Sequence, residues 1–306
     1  MSFYPNKKVR RLILVVLLCF TVLFIVGCGI RPIDTVEAND GKKPTSPELD
    51  TQSVNKRRIP VLMFHNLDYS LGTWCITPEN FRSDVEFMLE NGFTPISFKQ
   101  LVNFAEGTGE LPEKPVIITF DDGYYSNYYY ALPISNELQI PITVFMTCRT
   151  VRDESIPPTT EQMIKMSADE LREMQASPYV EIQSHTFGLH GKNTNYSEIE
   201  RNNALPLDGE SESDFKSIFN EDCSKAEQTL NNIGSFDMLA FSYPQGKSCA
   251  WAEQVLTERG YKVSVTTNYS ADNIVIKGDA SSLRLLGRMN VNDPTTKESL
   301  LNYLSR

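Results

Sequence analysis

From residue 58 onward, short apolar runs alternate with stretches of helical periodicity, and that alternation restricts the fold more than any other feature of the chain. The runs fall at 59–64 (IPVLMF), 115–120 (PVIITF), 141–147 (PITVFMT), 179–183 (YVEIQ), 238–243 (MLAFSY) and 262–266 (KVSVT). Few of them alternate apolar with polar residues, as expected of strands covered on both faces in a parallel sheet. Helix starts lie between them. Thr77-Pro78-Glu79-Asn80 offers an N-cap and an N1 proline, followed by Phe81, Val85, Met88 and Leu89 on one stripe. Ser167-Ala168-Asp169-Glu170 has capping-box spacing, and 213–232 carries Phe215, Ile218, Phe219, Cys223, Ala226 and Leu230. Such alternation predicts an α/β fold, either a barrel or a doubly wound sheet. There is no internal repeat, and no Gly-x-Gly-x-x-Gly or Walker loop follows any run.

The N-terminus reads as an export signal. Lys7, Lys8, Arg10 and Arg11 precede the uncharged apolar run 12–26, which is shorter than the ~20 residues of a spanning helix. The run closes on Ile25-Val26-Gly27-Cys28, which resembles a bacterial lipobox. That resemblance implies removal of residues 1–27, acylation of Cys28, and an extracytoplasmic protein anchored to the cell membrane by lipid; the alternative is a short uncleaved anchor helix. Residues 28–57 are polar and without apolar periodicity, the composition of a tether, leaving 58–306 as the folded domain. The formal charge is −10, and losing the four signal cations takes it to −14, which argues against nucleic acid as a partner. Cys75, Cys148, Cys223 and Cys249 then remain, enough for two disulfides or four buried thiols. With no C-x-x-C pair, a structural zinc knuckle is not expected.

The chemistry gathers at strand ends. Ile117-Ile118-Thr119-Phe120 runs into Asp121-Asp122-Gly123, placing two carboxylates at a strand tip where they need a cation or a raised pKa. An Asp-Gly turn would account for them equally well. Tyr179 to Gln183 leads into Ser184-His185-Thr186-Phe187-Gly188-Leu189-His190, and this pair makes up two of the three histidines. Five residues of helix would point them 140° apart, so they converge only if the loop bends, which Gly188 permits. Two imidazoles and a carboxylate form an open zinc set, with positions left for water and substrate. The third histidine, His65, also follows a strand.

With these residues in view, the chain resembles the polysaccharide deacetylases of the NodB-homology type, carbohydrate esterase family 4, over roughly 58–290. Thr119-Phe120-Asp121-Asp122-Gly123 is similar to the family's first motif, His185 to His190 to its second, and Phe241-Ser242-Tyr243-Pro244-Gln245-Gly246 to its third. The family usually spaces its histidines four apart. Five, together with a strand-end histidine before the first motif, resembles the subgroup acting on poly-N-acetylglucosamine. The chain departs from the common pattern in having no histidine after His190 to serve as the C-terminal acid, and no Asp beside Trp251.

The resemblance implies a distorted (β/α) barrel and a zinc-dependent hydrolase that removes N-acetyl groups from an amino-sugar polymer, either an exopolysaccharide or peptidoglycan. Asp122, His185 and His190 would hold Zn2+, Asp121 would act as general base and His65 as general acid. Gln245 would supply an oxyanion N–H, with Tyr243 beside it in the substrate motif. Arg288 either pairs with Asp121 to keep it ionised or simply closes a strand on the surface. Of Tyr124, Tyr125, Tyr128, Tyr129 and Tyr130, most are expected to pack and one to stack on a sugar. The acids within 205–214 read as a solvated loop. A metal-free carbohydrate-binding lipoprotein and an O-acetyl esterase are the alternative functions.

Overall fold

The computed structural model describes residues 55–70, 72–152, 164–190 and 201–306. The signal, Cys28 and nearly all of the tether lie outside them. No helix among the described residues is long and apolar enough to cross a membrane.

One parallel sheet has eight strands, seven of them along its main path: β1 (Val61–Phe64), β2 (Pro115–Phe120), β3 (Ile142–Met146), β4 (Val180–Ser184), β5 (Ala240–Ser242), β6 (Val263–Val265) and β7 (Met289–Asn290); the eighth, Thr94–Pro95, pairs with β2 off that path. They pair in sequence order from β1 to β6, with β7 returning to the outer edge of β1. Just before β7, Leu286 makes a parallel bridge to Val265 of β6. One short, bent segment therefore touches both edges and curls the sheet round, so that of the two architectures open to the sequence the chain takes the distorted barrel.

The curl has a weak seam. β4 and β5 share a single register pair, Ser184 with Phe241. The buried Gln183 side chain stands in for the missing ladder: its carbonyl accepts from the N–H groups of Leu239 (2.9 Å) and Ala240 (2.7 Å), while its amide donates to Asp237 O (2.8 Å).

Every residue of β1, β2 and β3 is buried, as runs without alternation require. Neighbouring residues go to opposite faces: Val61, Ile117 and Phe145 join one apolar cluster, and Leu62, Phe64, Ile118, Phe120 and Val144 another. The second cluster is keyed by three rings, with Phe81 edge-on to Phe64 and Phe120 at centroid distances of 5.1 and 5.2 Å. Phe81 comes from helix α1 (Pro78–Glu90), which starts where the sequence indicated: Thr77 Oγ1 accepts from Asn80 N at 3.2 Å and Pro78 is the first helical residue. The Ser167/Glu170 capping box is likewise complete on both arms.

Two expectations change, and the structure decides between the two cysteine alternatives. Lys56 and Arg57, expected in the tether, form with Arg58 a strand paired antiparallel with Ile274–Ile276, so ordered pairing begins before residue 58. Glu210 is not solvated: it ion-pairs with Arg201, both side chains being less than a tenth exposed. The four cysteines are separate thiols, Cys148 and Cys223 buried and Cys75 and Cys249 half-buried, without a disulfide.

Candidate active site

Because the strands are parallel, the residues that follow β1, β2, β4 and β5 emerge at one end of the barrel. His65, Asp121, Asp122, His185, His190 and Gln245 meet there around a cavity of about 280 Å3. Three backbone turns aim them. Asp122 (φ 72°), Thr186 (φ 86°) and Gln245 (φ 56°), one from each motif, lie in the left-handed region that costs a side-chain-bearing residue energy. Gly123 follows Asp122 at φ 66°, and a Cβ there would stand 2.2 Å from Met146 Sδ, so the turn admits only glycine.

Asp121 is buried in the cavity wall, with both carboxylate oxygens partnered. Arg288 grips it bidentately, Nη1 to Oδ1 and Nη2 to Oδ2, both at 2.7 Å. Arg288 also donates to Thr119 Oγ1 (3.1 Å), Ser242 Oγ (2.9 Å) and Thr266 O (3.0 Å) and is 1% exposed. Burial is the strongest single influence on the Asp121 carboxyl and pushes its pKa up; Arg288, His185 and His65 together outweigh it and hold the group well below the usual carboxylate range. Of the two readings of Arg288, the buried pair is the one realised.

Asp122 splits its oxygens. Oδ1 faces His190 Nε2 at 3.4 Å and His185 Nε2 at 3.7 Å, while Oδ2 accepts from the Tyr124 hydroxyl (3.1 Å) and lies 3.8 Å from Lys165 Nζ. One ligand atom from each of Asp122, His185 and His190 lies within 4.8 Å of the others. Donors around a tetrahedral ion at ~2.0–2.1 Å are ~3.4 Å apart, so these gaps fit a zinc-sized cation. The tautomer fits as well. His185 Nδ1 is 2.7 Å from Ser242 O, a carbonyl that can only accept, which makes Nδ1 the protonated nitrogen and leaves the Nε2 lone pair facing Asp122.

The bend between the histidines comes from a residue the sequence reading passed over. Asp222, on the 22-residue helix Glu212–Ile233, is fully buried and accepts from Thr186 Oγ1 (2.6 Å), Phe187 N (2.9 Å) and Gly188 N (2.8 Å). Thr186 Oγ1 in turn accepts from Leu189 N at 2.7 Å. The left-handed residue in this loop is Thr186, not Gly188. A signal was available: Asp222 lies on the apolar stripe with Phe215, Phe219, Ala226 and Leu230, a place where an acid needs a reason to be.

His65 sits at the cavity's edge under the Trp74 ring (4.6 Å between centroids), and its backbone O accepts from Asn127 Nδ2 (2.8 Å). Burial lowers its pKa, with Asp121 and Asp122 pulling the other way. Tyr243 is not at the site: its side chain is in the core, its hydroxyl donates to Glu253 (2.6 Å) and its N–H to Val265 O (3.0 Å). Among the five tyrosines, Tyr124 lines the cavity and bonds Asp122 instead of offering a free stacking face, since Lys165 Nζ covers its ring at 3.3 Å. Lys165 and Trp74 carried no signal in sequence.

Comparison with known proteins agrees with this geometry. The poly-beta-1,6-N-acetyl-D-glucosamine N-deacetylase of Escherichia coli (strain K12) is 28% identical over 232 residues, covering 71% of this chain but 34% of that longer protein. The protein of the same name from Staphylococcus aureus (strain N315) is 23% identical over 290 residues, 89% of this chain and 94% of that one. Among solved structures, IcaB from Ammonifex degensii matches with a TM-score of 0.66 at 22% identity over 81% of this chain and 97% of that one, a likeness of fold. The polysaccharide deacetylase family model matches residues 108–264, from just before β2 to the middle of β6. That span is about half the chain and contains all three motifs, and the chain belongs to the polysaccharide deacetylase family.

Proposed function

We propose that the chain is a zinc-dependent N-deacetylase of an amino-sugar polymer, with the ion held by Asp122, His185 and His190. The observation that carries this reading is the contrast between adjacent aspartates: Asp121 is charge-balanced by Arg288, whereas Asp122 presents an oxygen to two imidazoles. Zn2+ there would supply Lewis acidity toward the acetamide carbonyl and would acidify the attacking water. Asp121, kept ionised by Arg288, accepts that water's proton; a carboxylate held so low is an effective base only toward an acidified water, so the two aspartates depend on each other. The Tyr243, Gly246 and Lys247 amides are taken by Val265 O, Tyr243 O and Pro244 O, which leaves Gln245 N–H as the third motif's donor for the oxyanion. Burial lowers the His65 pKa and so favours the neutral ring, and the proton it delivers to the departing amine would be one acquired during the reaction.

The likeness to the Escherichia coli and Staphylococcus aureus poly-beta-1,6-N-acetyl-D-glucosamine N-deacetylases favours a poly-N-acetylglucosamine-like substrate. The N-terminal sequence supports an exported protein held to the membrane through Cys28. Three measurements test this reading. The purified chain should bind about one zinc and release acetate from N-acetylglucosamine oligomers, and Asp121→Asn should keep the metal while losing ~10²–10⁴-fold in rate. Full turnover by Asp121→Asn would remove the base assignment, and a wild-type chain that binds no divalent ion would remove the metal. Cys28→Ala should release the protein from membranes; if it stays bound, the anchor is elsewhere.

A further inference from the structure

At the end of the barrel opposite the candidate site the surface turns basic. The strands are parallel, so the residues that lead into them gather there: Pro60 before β1, Pro115 at the start of β2, and Phe93 just before the short strand that pairs with β2. With Leu304 of the last helix (Lys297–Leu304) they line a groove of about 380 Å3. Lys56, Arg57, Arg58, Lys114 and Arg306 line it too, against a single acid, the exposed Glu113, in a chain whose formal charge is −10. Arg58 donates to Tyr303 O (2.8 Å) and Leu304 O (3.1 Å), Lys114 to Asn91 O (3.2 Å) and Arg306 to Tyr269 O (3.0 Å). These partners are all carbonyls, which satisfy a donor but neutralise no charge. Arg58 Nε is enclosed without an acceptor.

Burial lowers the Arg58 pKa most; Tyr303 and Asp272 oppose it, and Arg306 adds to it by like-charge repulsion. Cations crowded in this way favour an anion between them. Guanidinium and ammonium side by side suit a phosphate, which takes paired donors from one and a point charge from the other. The position selects the carrier of that phosphate. Lys56 opens the first described strand, and the residues before it belong to the polar segment that leads from Cys28. A membrane held through Cys28 is therefore nearest, along the chain, to this end of the barrel. An anionic surface repels the acidic remainder of the domain and attracts only a basic face.

We infer that this groove docks on the phosphate headgroups of an anionic membrane and turns the candidate site away from the bilayer. Docking goes beyond the deacetylase reading and rests on the Cys28 anchor only for keeping a membrane near. Exposed charges are screened within ~8 Å at physiological salt, so the contact orients the domain and does not replace the anchor. The purified full chain is mixed with vesicles of phosphatidylcholine alone, or of equal parts phosphatidylcholine and phosphatidylglycerol. Its lysines are then acetylated by a water-soluble reagent and read by mass spectrometry. Lys56 and Lys114 should label about fivefold more slowly on the anionic vesicles, equivalent to ~1 kcal/mol. That protection should vanish in ~1 M salt, where the screening length falls to ~3 Å. Lys247, exposed at the candidate site's end of the barrel, should label alike on both. Lys114→Glu should weaken the protection of Lys56 with its circular dichroism unchanged. Equal labelling of Lys56 on the two vesicles, or protection unaltered by Lys114→Glu, overturns the docking. Inorganic phosphate that protects as well without vesicles makes the groove a free-phosphate site and overturns the membrane as its partner. Flotation with phosphatidylcholine vesicles reports the anchor separately: a chain that fails to float there, yet is protected on anionic vesicles, loses the anchor and keeps the groove.

Discussion

Asp121 and Asp122 leave the same strand tip and enter opposite surroundings. The Asp121 side is closed: its side chain is 4% exposed, its counter-ion is wholly buried, and both of its oxygens are held at 2.7 Å. The Asp122 side is open, with 16% exposure at Asp122 and 27% at His190, and its nearest cation, Lys165, stands off at 3.8 Å. The fold completes the electrostatics of one carboxylate and leaves the other to be completed from outside. A general base has to be ionised before anything binds, whereas a metal ligand needs a lone pair kept free.

Removing Arg288 should break this contrast most severely. Arg288→Met strands a buried carboxylate and should cost ~3–5 kcal/mol in chemical denaturation. The sign of its pH dependence is diagnostic. In the wild type the Asp121 pKa is depressed, so the stability it contributes is fully present above the unfolded value near 3.8 and is lost only as pH falls toward the folded one. Without the guanidinium, burial prevails and the folded pKa rises, so the variant should recover stability as pH falls from 8 to 5. A deficit identical at both pH values would mean that Arg288 and Asp121 are not energetically coupled.

On the open side the largest effect should come from Asp222. Asp222→Ala leaves Thr186 Oγ1, Phe187 N and Gly188 N without their acceptor and should weaken zinc binding by ~10–100-fold, as loss of an outer-shell partner does. Asp222→Asn keeps one carbonyl oxygen and should restore part of that affinity. Competition titration with a chelator reads both variants; unchanged affinity in Asp222→Ala would mean that the histidines are set by the barrel and not by this carboxylate.

How much of this was legible from sequence follows from which interactions are local. The covered strands show as unbroken apolar runs, and Thr77 and Ser167 announce their helices because a cap is written within four residues. Asp121, Asp122, His185 and His190 stand next to strand ends, so a parallel sheet by itself delivers them to one face. Closure of the barrel rests on Leu286 touching β6 shortly before Met289 touches β1, a division of partners that no periodicity encodes. Tyr243 was misassigned for a related reason: its motif neighbours Ser242 and Gln245 turn toward the site while its own ring turns to Glu253. Lys165 and Trp74 reach the site from loops, where sequence distance says nothing about spatial distance.

The finest adjustment on the open side is the Tyr124 hydroxyl, and Tyr124→Phe removes it while leaving the ring for Lys165 to cover. Metal-free protein should lose ~1 kcal/mol of stability, the net worth of one hydrogen bond. The loss should grow with pH. Burial pulls the Lys165 pKa down from 10.5 to about 8, with Asp122 opposing. Above about 8 the folded chain therefore releases a proton that the unfolded chain still binds, and Asp122 Oδ2 loses its cation. Burial keeps the Tyr124 pKa above its ordinary value, so the phenol remains a donor and becomes that oxygen's main partner. Denaturation of wild type and Tyr124→Phe at pH 7 and pH 9 should show a larger gap at pH 9. Equal gaps would mean that phenol and ammonium act on Asp122 independently.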